Sequence, residues 1–303
     1  MSRLPFYCSE LSREVAEKSY GTASVGDVWL LVEYPYAWGA RVLQDSALPA
    51  AVKARLSKIL TAIPRVKLLF IKQDRPPQDF FTFFIVRCRE SGPDVVKFQL
   101  EIFERLLSID IASVAAGNSL AGGTVADRPL LLVCTHGKRD KCCAKFGYPL
   151  YKSLRDHTAE LVWQSSHVGG DRFAANLICF PHGLFFAHVT GQDGKFISHE
   201  YERRRLVLEK YRGRACYTHP VQAAEYFIRK ESGLIGIDDL RHLGCQRLGE
   251  ETWKASFIAQ ASGTVHEAQI TSRLSVFQNP MTCHSTEEKR VTQYILDSYR
   301  TIS

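Results

Sequence analysis

Leu130-Leu-Leu-Val-Cys134-Thr-His136-Gly-Lys-Arg-Asp-Lys-Cys142-Cys143, answered further on by Trp163-Gln-Ser-Ser-His167-Val-Gly-Gly170-Asp171-Arg172-Phe173-Ala-Ala-Asn176, is the stretch that decides how this chain folds. Its opening run is short, continuous and apolar, the pattern of a strand buried on both faces. A turn-rich loop from Cys134 to Cys143 follows. A helix is predicted over residues 149–156, with Pro149 suited to a first helical turn. In open α/β sheets, loops at the carboxyl ends of strands are where side chains converge on a crevice. Thiolates in this loop would be stabilised by Lys138, Arg139 and Lys141 and by N–H groups at the helix terminus. The Gly169-Gly170 pair lets the backbone pass close to a bulky group. His167 and Asp171, four apart across that turn, can face one centre. Gln164, Ser165 and Ser166 stand beside them, as hydrogen-bonding neighbours of the site or as ordinary strand-end polar residues. Adjacent cysteines are ordinarily small inert hydrophobes and a loop histidine is ordinarily a surface residue, so the combination carries the argument.

Around this stretch the chain reads as alternating strands and helices. Strands are predicted over residues 160–164, 174–180 and 184–189, the last two joined by Pro181-His182-Gly183, and a charged helix over 199–211. Upstream lie a strand at Val28–Glu33, a helix at Ala50–Ala62, strands at 66–71, 80–86 and 95–102, a helix at 103–114, and a linker at 116–123. The two regions run through a similar order. That suggests two related α/β units, of which only the second carries Cys and His at ligand spacing, although βαβ alternation is common enough to recur by chance. Downstream, a helix is predicted over 221–229 and a hairpin over 252–274 turning at Ala261-Ser-Gly263. A last helix is introduced by Ser285-Thr-Glu-Glu288, a capping-box pattern, with Val291, Tyr294, Ile295 and Tyr299 on one face.

The 303 residues are 45% hydrophobic, as in folded water-soluble chains. Lys and Arg number 39 against 32 Asp and Glu, a formal balance of +7, too mild for a dedicated nucleic-acid binder but favourable to acidic partners. Arg203-Arg-Arg205 with Lys210, Arg212 and Arg214 forms a docking patch for such a partner or simply a solvated helix face. No apolar run approaches the ~20 residues that span a bilayer, and the start, Met1-Ser-Arg-Leu-Pro5, lacks the apolar core of a secretory signal. A cytoplasmic location without a membrane span is expected. Nine cysteines, odd in number and unevenly placed, argue against a secreted disulfide framework and for metal or redox chemistry.

Cys-Thr-His-Gly-Lys-Arg-Asp-x-Cys-Cys followed by Trp-Gln-Ser-Ser-His-Val-Gly-Gly-x-Arg-Phe-Ala-Ala-Asn resembles the signature of the sucrase/ferredoxin-like family, the thioredoxin-like ferredoxins. Trp29-Leu-Leu-Val-Glu33 and Trp38-Gly39 add to the agreement, so the resemblance covers at least residues 28–189. It implies an α/β fold: a thioredoxin-like ferredoxin domain at 124–215, preceded by an α/β domain of similar element order at 1–123 without cluster ligands and followed by a small α+β region at 216–303. It also implies an electron carrier with one [2Fe-2S] cluster held by two Cys and two His. Carried onto this chain, the thiolates are Cys134 and Cys143 and the first imidazole is His167. The second imidazole falls at position 171, which here is Asp171. Asp171 then ligates through its carboxylate, or leaves the fourth place to His136, Cys142, Cys283 or His284, or the cluster has been lost and the fold kept.

Neutral imidazoles in place of thiolates raise the potential of such a centre, as in Rieske centres at roughly −150 to +300 mV. An aspartate restores one negative charge and favours ferric iron, so a lower potential is expected. The implied partner is a redox protein such as a flavoprotein reductase. The competing reading is a cluster-free thioredoxin-like thiol oxidoreductase or redox sensor using Cys134, Cys142 or Cys143. Against it, a Cys-x-x-Cys pair is missing, and adjacent cysteines form strained disulfides. Glycoside hydrolysis, which the word sucrase suggests, needs a flanking pair of carboxylates that the sequence does not display.

Overall fold

The computed structural model describes residues 6–76, 78–158 and 161–302. The predicted chain start at Met1–Pro5 and the opening of the predicted strand at Glu160 lie outside them. In chain order the elements are α1 (Cys8–Glu14), β1 (Val28–Glu33), α2 (Ala50–Ala62), β2 (Val66–Lys72), β3 (Phe81–Arg87), β4 (Asp94–Leu100), α3 (Ile111–Ala116) and β5 (Thr124–Val125). They continue with β6 (Leu130–Cys134), α4 (Lys141–Thr158), β7 (Val162–Ser165), β8 (Leu177–Phe180), β9 (Leu184–Phe186), α5 (Gly191–Glu202) and β10 (Tyr211–Arg214). Last come α6 (His219–Ser232), β11 (Leu240–Arg247), β12 (Thr252–Ala259), β13 (Val265–Leu274) and β14 (Thr292–Ile302).

Ten strands form one sheet in the order β10-β9-β8-β6-β7-β2-β1-β3-β4-β5. The order is palindromic. β1 pairs parallel with β2 and antiparallel with β3, as β6 pairs parallel with β7 and antiparallel with β8. The halves meet where β2 pairs antiparallel with β7, through Ile71–Ser165 and Lys72–Gln164. The similarity of element order seen in the sequence is therefore a shared topology, strand for strand, about a local two-fold relation.

Strand alternation explains the layers. Leu30 and Val32 face a core covered by α2 and α3, and Leu131 and Val133 face one covered by α4 and α5. Trp29 and Leu31 from the first half, and Leu130, Leu132 and Cys134 from the second, face a third core shared by both halves of the curled sheet. A four-stranded antiparallel sheet, β11-β12-β13-β14, packs separately with α6.

Several predicted elements differ. The helix predicted from Pro149 begins at Lys141, because the Asp140 carboxylate accepts the Cys142 N–H at 2.8 Å and starts the helix there, leaving Pro149 inside it. The charged helix predicted over 199–211 lies at Gly191–Glu202, started by a capping box between Thr190 and Asp193. The helix predicted over 103–114 is a 3-10 turn at Phe103–Ser108 and the short α3, where Asp110 caps through the Ser113 N–H. The capped C-terminal helix is absent: Tyr294, Ile295 and Tyr299 lie on β14, paired along its length with β13.

Candidate metal centre

Cys134 is the last residue of β6 and Cys143 lies in the first turn of α4, so the loop between them returns the chain over the carboxyl end of the sheet. The approach is close because of Gly147. A Cβ there would stand 2.0 Å from the Cys134 carbonyl oxygen, so only glycine lets α4 rest on the end of β6. His167 follows β7 on the loop with Gly169 and Gly170, whose φ angles are +89° and +79°. Asp171 opens the next 3-10 turn.

Ligand atoms of Cys134, Cys143 and His167 all lie within 4.8 Å of one another. Asp171 joins them: its Oδ1 is 3.4 Å from Cys143 Sγ and 2.9 Å from His167 Nδ1. The Nδ1 contact is an off-line ion pair, and this buried nitrogen has no aligned hydrogen-bond partner among the described residues. Cys134 and Cys143 are 1% and 0% exposed, while the His167 side chain keeps 23% of its surface in solvent.

The protonation pattern follows from these contacts. Cys134 is drawn well below the usual thiol range by the hydrogen bond from Cys143, and against the cost of burial by His167 and the His136 N–H. Cys143 is pushed well above it, first by that same bond and then by burial and Asp171. These contacts thus favour the proton on Cys143 and the thiolate form on Cys134. Burial opposes charge on His167, but Asp171 and Cys134 outweigh it and hold the imidazolium up to about 9.

His136 does not join the group. Its Nδ1 accepts the His167 N–H at 3.3 Å and its Nε2 stands 2.8 Å from the Gly39 carbonyl, which fixes the neutral tautomer protonated at Nε2. Burial lowers its pKa, in keeping with a neutral ring. Cys142 and Cys283 belong to another cluster, with Cys8 and Asp140, and His284 is exposed. Of the alternatives named for the fourth position, Asp171 lies nearest, against Cys143 and His167.

Gln164 and Ser166 are used elsewhere. Gln164 bonds Thr135 and Asp74, and Ser166 accepts the Phe70 N–H across the junction of the halves. The Ser165 hydroxyl is buried without a hydrogen-bond partner among the described residues.

The sequence placed Arg212 and Arg214 in a basic surface patch, yet both are 1% exposed, because β10 turns them inward. Arg212 donates to the Gly169 carbonyl, Asn176 Oδ1 and the Thr22 carbonyl, at 3.1, 2.7 and 2.6 Å. It thereby holds the His167–Asp171 loop and puts a cation near the Cys134 thiol and the Asp171 carboxylate. Its guanidinium would lie 2.5 Å from a Cβ at Gly170, a second reason for glycine there. Arg214 pairs with buried Glu225, which Arg229 also meets at 3.0 Å. A basic residue on an alternating strand was the available signal for this inward turn.

His167 borders a cleft of about 390 Å3 whose lining includes Arg41, Lys67 and Arg139, all exposed, and no carboxylate. A larger cleft, about 880 Å3 and lined by Glu90, His182 and Arg241 among others, shares no residue with the centre.

A mixed α/β sheet thus brings Cys134, Cys143 and His167, with Asp171 beside them, to one end, as a group that could hold a metal ion. The chain belongs to the sucrase/ferredoxin-like family, whose model matches residues 19–213. Among curated proteins it is similar to two sequences of altered inheritance of mitochondria protein 32 from Saccharomyces kudriavzevii, one from strain ATCC MYA-4449, each 30% identical over 105 residues. That match covers 30% of this chain and 34% of theirs, so it spans about a third of the curated relatives' length. No solved structure matches the chain significantly.

Proposed function

We propose that the protein is a one-electron carrier that holds a [2Fe-2S] cluster through Cys134, Cys143 and His167, with Asp171 as the fourth ligand. The observation that carries this reading is the pairing of donors. A thiol pair stands beside an imidazole–carboxylate pair, a two-plus-two set suited to two irons, and the otherwise unpartnered Nδ1 of His167 is a nitrogen available to bind metal. Such a cluster, when bound, exchanges one electron at a potential set by its ligands. Cys134 is the thiol whose surroundings favour deprotonation, Arg212 offsets the gathered negative charge, and His167 reaches solvent beside a basic cleft where an acidic partner would dock. Raising salt should slow reduction by such a partner, and Arg41→Glu with Arg139→Glu should slow it further.

A thiol oxidoreductase is favoured by the thiolate form of Cys134 beside Cys143 but opposed by their burial, which hides both sulfurs from a protein disulfide. Among the described residues no helix is long and apolar enough to cross a membrane. The reducing-compartment pattern of the cysteines supports a cytoplasmic location; the mitochondrial wording belongs to the relatives' name.

The test is anaerobic purification with iron and sulfide assay and visible and EPR spectra. About two irons per chain, lost in Cys134→Ala, Cys143→Ala and His167→Ala, is the expected outcome, and Asp171→Ala decides the fourth ligand. The donors stand close enough together to surround one metal atom, so a single iron without sulfide would overturn the cluster reading. A colourless protein with reactive thiols would move the assignment to thiol chemistry.

A further inference from the structure

We propose that Cys8, Cys142, Cys283 and Asp140 form a second metal site that holds one zinc-class divalent ion and ties both ends of the chain to α4. The neighbouring cysteines of the Cys142-Cys143 pair then serve different centres, and this site does not depend on the iron–sulfur reading.

The geometry is that of one ion. The three sulfurs stand 3.6, 3.2 and 3.6 Å apart, for Cys8–Cys142, Cys142–Cys283 and Cys8–Cys283. Bonds of about 2.3 Å in a tetrahedral zinc site put sulfurs roughly 3.8 Å apart. Three sulfurs mutually this close belong on one metal atom, since each iron of a two-iron cluster carries two bridging sulfides and has room for no more than two thiolates. Both Asp140 oxygens lie 4.0 Å from Cys8 Sγ, and one atom from each of the four residues falls within 4.8 Å of all the others. Three thiolates and one carboxylate complete a closed, structural type of coordination.

The ligands are also held in place, as metal-bound residues are. The Ser9 N–H points to Cys142 Sγ and the Cys8 N–H to Cys283 Sγ, each at 3.5 Å. Asp140 Oδ1 accepts the Cys142 N–H at 2.8 Å and Oδ2 the Cys283 N–H at 2.6 Å. Cys8 and Cys142 are fully buried beside Phe6, Tyr7 and Phe146, while Cys283 sits at the partly exposed rim, where an ion can enter. A disulfide would join two of the three sulfurs and strand the third.

The site joins segments 134 and 141 residues apart in sequence, and cross-links that close long loops remove the most chain entropy from the unfolded state. Cys8 and Cys283 both lie outside the family-matched residues 19–213, so this centre is built partly from what this chain adds to the family segment. Its placement reaches the first centre, because α1 packs on the turn that opens with Asp171, and Ser9 Oγ donates to the Ala174 carbonyl at 2.5 Å.

The experiment is zinc, iron and sulfide analysis of the full chain purified from zinc-supplemented medium, with X-ray absorption at the zinc edge. One zinc per chain with three sulfurs at about 2.3 Å and one oxygen is expected. In Cys8→Ser and Cys283→Ser, zinc retained after chelator exposure should fall at least tenfold, with iron and sulfide unchanged, whereas Cys134→Ser should lose iron and keep zinc. The zinc-edge spectrum of the unaltered protein judges the site even where a variant fails to fold. A zinc-free wild type, a zinc shell of two sulfurs with nitrogen, or a Cys142–Cys283 disulfide formed in the presence of zinc would each overturn the proposal.

Discussion

Gly147→Ala adds one methyl group in mid-helix, where alanine ordinarily gains about 1 kcal/mol over glycine. Here that methyl would meet the Cys134 carbonyl oxygen at 2.0 Å and its carbon at 3.0 Å, against an ordinary contact of 3.4 Å or more. Both partners are backbone, so no side chain can swing away. α4 must retreat from β6 by about 1.4 Å at this point, and Cys143, one turn earlier on the same helix, retreats from Cys134 with it. Overpacking of this kind costs typically 1–3 kcal/mol, which exceeds the propensity gain. The expected result is a protein destabilised by up to about 2 kcal/mol in urea unfolding, with iron and sulfide per chain reduced more than the loss of folded protein explains. A variant as stable as wild type, or more so, with full iron content would show that the close approach of α4 to β6 does not set the thiol pair.

Arg212→Met would leave the Gly169 and Thr22 carbonyls and Asn176 Oδ1 without their buried donor, a loss of about 3–5 kcal/mol in urea unfolding. Arg212→Lys, which keeps the charge but not the fork, should recover part of it. Asp171→His replaces a carboxylate by a neutral ring and should raise the midpoint in a redox titration by on the order of 100 mV; no upward shift would remove Asp171 from the ligand set. Burial, with the charges of Arg214 and Arg204, lowers His182 from 6.5 to about 4. The unfolded chain therefore takes up this proton first as pH falls, so the contribution to stability is full above pH 6.5 and is lost towards pH 4, by at most roughly 3 kcal/mol. The urea midpoint of His182→Gln should depend less on pH across that window.

The strands of the large sheet were legible because burial on both faces leaves unbroken apolar runs, as in Val28–Glu33 and Leu130–Val133. Helix starts were less so: Asp140 caps through its carboxylate and Thr190 through a capping box with Asp193, local bonds that the Pro149 signal and the charged run at 203–205 obscured. The final strand was misread because Val291, Tyr294, Ile295 and Tyr299 fit a helical spacing equally well. Pairing with β13, a contact between distant residues, chose the strand.

The sequence by itself determined the family, since the residues that carry the resemblance, around Cys134, Cys143, His167 and Asp171, lie in two short segments. Three things waited for the tertiary structure. The join of β2 to β7 made one palindromic sheet of two similar halves, the inward turn of β10 took Arg212 from the surface to the back of the centre, and the meeting of Cys8, Asp140, Cys142 and Cys283 made a second cluster. Each depends on residues far apart in the chain whose approach is set by the packing of whole elements, and no local pattern records that distance.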